Sequence, residues 1–119
     1  MKHVAVANTT RGSQLASRAG LTTSALERMR GLLGTASLAE GEGLVLDPCA
    51  SVHMFGMRYP LDVVFADEAA VVREVVAELR PWHMTGWIRG ARYAIELPAG
   101  TAARTGTEPG DQLEIREIL

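Results

Sequence analysis

This sequence cannot form an internal disulfide, because it holds one cysteine, Cys49. A lone thiol also gives no sign of an oxidising compartment. No stretch approaches the ~20 apolar residues that a membrane-spanning helix requires. The apolar run within residues 1–8 is too short for the core of a signal peptide. The chain therefore reads as cytoplasmic, with no membrane association. It also lacks a basic excess: 12 lysines and arginines stand against 14 acids, a net charge of −2. A nucleic-acid binder normally carries a basic face, so no nucleic acid is expected. Gly41-Glu42-Gly43 is a lone glycine pair with no helix after it, and so is not a nucleotide-binding fingerprint. No serine-centred nucleophile elbow occurs. Repeats, linkers and low-complexity tracts are absent. Residues 1–119 read as one domain, long enough to bury roughly two-thirds of its unfolded surface without a disulfide or structural metal.

What the sequence does contain is many short elements, punctuated throughout by glycine and proline. Residues 3–7 alternate in strand fashion. Thr10-Arg11-Gly12-Ser13 then supplies a turn, and residues 14–18 return as the second arm of a hairpin. Ser24-Ala25-Leu26-Glu27 has the pattern of a capping box. Leu26, Met29 and Leu33 follow on one helical stripe, which ends at Gly34. Further strands are predicted at residues 43–46, 51–54, 61–66, 71–79, 92–97 and 112–118, from their β-branched and apolar content. Residues 67–70 read as a turn. Thr101 is placed to cap a single helical turn ending at Gly106. Glu108-Pro109-Gly110-Asp111 is a β-turn with proline and glycine at its centre. The predicted fold is mainly β (α+β): a compact antiparallel barrel or sandwich of about seven short strands with one packed helix.

The charges that stand out are Arg30, His53, Arg58, Asp62, Glu96 and Asp111. Asp62 and Glu96 sit inside otherwise apolar strands. A buried carboxylate is very costly without a partner, and an arginine fork matches it in two bonds. The plain expectation is a structural ion-pair network or a solvent-facing side chain. The functional alternative is a polar pocket that binds a ligand or moves protons. Asp111 is expected to cap its own turn through the backbone. Cys49 and His53 do not make a metal site by themselves, since zinc takes three or four protein ligands. No metal and no cofactor is expected. A buried cysteine usually serves as a small apolar side chain, and Met54 and Met57 read as core or pocket lining.

Aromatic residues are scarce, so the run at residues 80–92 is conspicuous. It holds both tryptophans and no acid. Trp82, Trp87 and Arg89 are the candidates there for anchoring a partner. The plainer expectation is that the loop folds Trp82 onto the end of the domain and seals the core.

Four segments occur in order. They are Arg28-Met29-Arg30-Gly31-Leu32-Leu33-Gly34, Gly43-Leu44-Val45-Leu46, the run from His53 through Pro60-Leu61-Asp62-Val63-Val64-Phe65, and Glu96-Leu97-Pro98-Ala99-Gly100 followed by Gly110-Asp111. Together they resemble the domain-of-unknown-function 192 family. The resemblance implies a small β-rich domain with a helix packed on it, and brings no activity or cofactor with it. The residues lack a nucleophile-and-base set, so the chain reads as a binding module rather than an enzyme. It would hold a small polar ligand or a protein segment beside residues 53–62 and 96–100. One alternative is an assembly protein acting through residues 82–92, as a monomer or weak homodimer. The other is an acid–base hydrolase or isomerase using Asp62 or Glu96 with His53.

Overall fold

The computed structural model describes residues 2–23 and 37–119. Within them the elements are β1 (Lys2–Asn8), β2 (Ser13–Thr22), β3 (Glu42–Leu46), β4 (Leu61–Ala66), β5 (Val72–Leu79), β6 (Tyr93–Pro98), a helix α1 (Thr101–Thr105) and β7 (Leu113–Ile118). All seven strands join one sheet in the order β5-β4-β6-β3-β2-β1-β7. The mainly-β class expected from the sequence holds, and so do the first hairpin and the helical turn closed by Gly106. The helix expected over residues 24–34, including Arg30, lies outside the described residues.

Three features differ from the expectation. First, the β2–β3 junction is parallel, whereas the other strand junctions are antiparallel. Parallel neighbours need a crossover of a dozen or more residues, and residues 23–41 supply that length. Second, residues 51–54 form no strand of the sheet; they make a single bridge, His53 opposite Met84. Third, the sheet does not close into a barrel. Its edge strands meet at one end only, where Val71 bridges Gln112. There the Val72 amide donates to the Asp111 carbonyl at 2.9 Å, and the Leu113 amide to the Ala70 carbonyl at 2.8 Å.

Side-chain alternation gives the sheet two apolar faces. Val4, Val6, Leu15, Val45, Val64, Ile95, Leu97 and Leu113 belong to one core cluster. Leu44, Leu46, Leu61, Val63, Phe65 and Ala94 belong to the other, together with Val52, Met54 and Met57 from the connections outside the sheet. This explains why β4 is buried along its whole length: it is flanked by β5 and β6 and covered on both sides. Full burial of a side chain such as Phe65 or Leu61 stabilises by roughly 1.5–3 kcal/mol. Close packing also explains Gly43. A Cβ at this position would lie 2.8 Å from the Glu96 carbonyl oxygen.

Candidate functional site

Asp62 occupies the β4 face that packs into the first core, opposite Leu97 on β6. It is almost fully buried, and among the described residues no arginine meets it. Its Oδ1 accepts the Glu78 amide at 2.9 Å, and its Oδ2 accepts the amides of Gly100 at 3.1 Å and Ala102 at 2.9 Å. The Glu78 amide turns toward Asp62 because β5 is irregular there: the register shifts between Leu61 and Val63, and Glu78 has φ 52°. The sequence pointed to Thr101 as the cap of the helical turn. Instead Gly100 occupies the N-cap position with φ 96° and no side-chain cap, while Thr101 donates its hydroxyl to the Pro98 carbonyl. Asp62 reaches across the sheet and does the capping.

Glu96 lies on the opposite face. Its strand partners are Leu44 on β3 and Val63 on β4, both in the second core. The two carboxylates flagged in the sequence therefore point away from each other, and no acid–base pair of Asp62 with Glu96 forms. Glu96 is 8% exposed, and its carboxyl group makes no hydrogen bond or ion pair among the described residues. The arginine partner expected for it is absent there. Burial pushes its carboxyl pKa up to about 7. Just beyond the strand, Glu40, Pro98, Ala99, Gly100, Thr101 and Arg104 line a shallow cavity of about 220 Å³. It is spanned by the exposed Arg104–Glu40 pair at 3.5 Å.

Asp111 sits in a third place, the corner that joins the turn before β7 to the β1–β2 hairpin. Its Oδ2 accepts from the Asn8 amide group at 2.9 Å, from Arg11 Nε at 3.0 Å and from the Glu108 backbone amide at 3.1 Å. The turn-capping bond expected from the sequence is the one to Glu108. The hydrogen bond from Arg11 holds the Asp111 carboxyl below the usual carboxylate range, with Asn8 and Glu108 acting in the same direction. Asn8 is fully buried and also donates to Thr107 Oγ1 at 3.1 Å. Arg11, Asn8 and Thr107 were not singled out in the sequence. Only the fold brings them to Asp111.

His53 belongs to none of these sites. Residues 50–54 and 82–88 run side by side as an irregular ribbon tied by backbone bonds. The Met54 amide donates to the His83 carbonyl and the Trp82 amide to the Met54 carbonyl, both at 2.8 Å. Thr85 donates to Val52, and Ile88 to Ala50, also at 2.8 Å. Val52 and Met54 turn inward to the second core, so their neighbours turn outward. The His53 ring stacks on Phe55 with centroids 4.8 Å apart, and Phe55 stacks on Trp82 at 6.2 Å. Phe55 is 46% exposed, Met84 63%, Trp82 67% and Trp87 80%. Trp82 therefore does not seal the core, because Val52, Met54 and Met57 already cover that face. Its backbone lies in the left-handed region, φ 69°, an outlying conformation for a bulky side chain. Phe55 and Met84 were missed in the sequence; strict alternation about the buried Met54 would have found Phe55. Cys49 donates its thiol to the Ser51 carbonyl at 3.0 Å. Arg58 and Arg89 are exposed on the two connections that build the ribbon.

The fold and these sites define a mostly-β domain built on one curled, open sheet, with inward carboxylates on its strands and turns and an aromatic ribbon facing out. The chain belongs to the DUF192 family (Uncharacterized ACR), whose model matches residues 6–115. It is 33% identical over 113 residues to a UPF0127 protein of Thermococcus sibiricus, covering 90% of this chain and 71% of that one. A UPF0127 protein of Pyrococcus abyssi is 37% identical over 65 residues, 55% of each chain. Among solved structures, a protein of unknown function from Novosphingobium aromaticivorans superposes with a TM-score of 0.80 at 26% identity. That match covers 94% of this chain and 83% of the other. Among the described residues, no helix is long and apolar enough to cross a membrane.

Proposed function

We propose that this protein is a binding module that holds a protein segment on the ribbon formed by residues 50–55 and 82–88. The carrying observation is the exposed, mutually stacked row of His53, Phe55 and Trp82 on a backbone-bonded frame. Exposed apolar patches of this kind mark interaction surfaces, and tryptophan is among the residue types enriched at binding hot spots. Strained backbone at an exposed Trp82 adds support, since such strain concentrates where function requires it. The His53–Met84 bridge brings the start of the 53–62 region against the 82–92 run.

Asp62 contributes indirectly, by fixing β5 and the start of α1. Its two oxygens are occupied by backbone amides, which leaves it poorly suited to grip a ligand. The test is a Trp82→Ala/Trp87→Ala double variant with a melting curve like that of the parent. Loss of a specific complex that the parent forms supports the reading. Retention of that complex overturns it, as does a parent protein that stays a monodisperse monomer and recovers no partner.

A further inference from the structure

The charge carried by this face narrows what it receives. Residues 47–60 and 80–92 contain four arginines, Arg58, Arg80, Arg89 and Arg92, and one acid, Asp47. Asp47 pairs with Arg92. Arg58, Arg80 and Arg89 are exposed and make no ion pair among the described residues. Arg80 immediately precedes Pro81 and Trp82, and its carbonyl accepts the His83 amide. Arg89 follows Trp87 by two residues. Arg58 follows the turn in which the Met57 amide donates to the Met54 carbonyl. A chain with a net charge of −2 thus carries three exposed arginines on the two connections that bear its most exposed aromatic side chains.

Resting on the reading of the ribbon as the recognition surface, we infer that its partner is a carboxylate-rich protein segment. Apolar side chains of that segment pack on the Phe55–Trp82 stack, on Met84 and on Trp87. Its carboxylates meet Arg58, Arg80 and Arg89, whose forks match carboxylate geometry. The composition of the face agrees. Tryptophan, phenylalanine, methionine and arginine are enriched at protein–protein interfaces, and lysine, which both connections lack, is depleted there. Charge also argues against a second copy of the chain docking face to face, because like charges brought together at an interface repel and suppress the wrong partner. A nucleic acid strand binds chiefly by neutralising many phosphates. Three arginines on an otherwise acidic chain form too short a track for that.

The test is selection of a random dodecapeptide library on the intact protein. It is followed by titration of the enriched peptides against the parent, Trp82→Ala/Trp87→Ala and Arg80→Glu/Arg89→Glu, each checked by its melting curve. Enriched peptides should carry more acids than the unselected library. They should weaken by about tenfold or more on charge reversal and lose binding to the tryptophan variant. Peptides that need the tryptophans but show no excess of acid, or ignore the charge reversal, overturn the inference and leave the surface intact. Peptides that ignore the tryptophans overturn the surface reading as well. An unenriched library overturns the protein-segment assignment, as does tryptophan-dependent binding of oligodeoxythymidylate or phosphatidylserine vesicles in its place.

Discussion

The Asp62 carboxylate accepts the Ala102 amide at 2.9 Å across a chain separation of 40 residues. This bond and its two companions tie β4, β5 and the entry to α1 at a single side chain. Asp62→Asn keeps the shape but turns a donor toward amides that are themselves donors. Hydrogen bonds to a charged group contribute about 1.5–3 kcal/mol each, and a buried donor left unpaired costs a further ~1–3 kcal/mol. The expected net loss is about 2–4 kcal/mol in urea unfolding. A variant as stable as the parent would show that these bonds contribute nothing net.

Glu96 gives stability an unusual dependence on pH. Its carboxyl pKa rises from 4.5 in the unfolded chain to about 7 in the folded one. A raised folded pKa means that the folded state holds the proton more tightly. The contribution is therefore complete below pH 4.5 and is lost as pH rises through about 7. The neutral isostere Glu96→Gln should remove this loss and be more stable than the parent at pH 8 by up to about 3 kcal/mol, at 1.36 kcal/mol per unit. At pH 4 the two should be equal. Urea midpoints for parent and variant across pH 4 to 8 check this, and parallel curves would refute the assignment.

Asp111 acts at the acid end. Its folded pKa is depressed, so its contribution is present above the unfolded carboxylate pKa and disappears as pH falls below it. Asn8→Ala takes one donor each from Asp111 and Thr107 and removes the acceptor of the Arg11 amide. The expected cost is about 2–3 kcal/mol at pH 7. It should shrink as pH falls through the depressed Asp111 pKa and the carboxylate becomes protonated.

Trp82 separates stability from recognition. Its left-handed backbone and exposed ring predict that Trp82→Gly leaves the melting temperature unchanged or raises it. Relief of about 1–2 kcal/mol of strain offsets the ring contacts that are lost. The same variant should lose partner binding. A drop of several degrees would show that the indole is part of the packing after all.

Much of the frame was legible because it follows local rules. The alternation at residues 3–7, the β-branched run at 61–66, the glycine that closes α1 and the Pro109–Gly110 turn are all set by nearby residues. The parallel β2–β3 junction was not legible, because pairing direction depends on the path of an intervening segment and leaves no periodic mark. The roles of the carboxylates were half legible. Their need for partners followed from burial, but the partners of Asp62 are backbone amides, which carry no identity in the sequence. That Asp62 and Glu96 face opposite sides depends on the relative register of two strands more than thirty residues apart. The sequence offers Trp82 both as a partner anchor and as a plug, and the plug is the plainer expectation because large aromatic side chains are largely buried on average. Its exposure follows from Met54 and Met57, already read as lining, filling the space it would have taken.

The place of β1 has a consequence for how the protein is made. β1 is flanked by β2 on one side and by β7 on the other. The first neighbour emerges from the ribosome almost at once, and the second only after the rest of the chain. At ~5–20 residues per second, the outer rim of β1 stays unpaired for about 5–20 seconds of synthesis. Val4 and Val6 on that strand are sticky, and an open strand rim is a template for pairing with another nascent chain. The risk of mispairing in the cell therefore concentrates in elongation and ends when Leu113 through Ile118 dock.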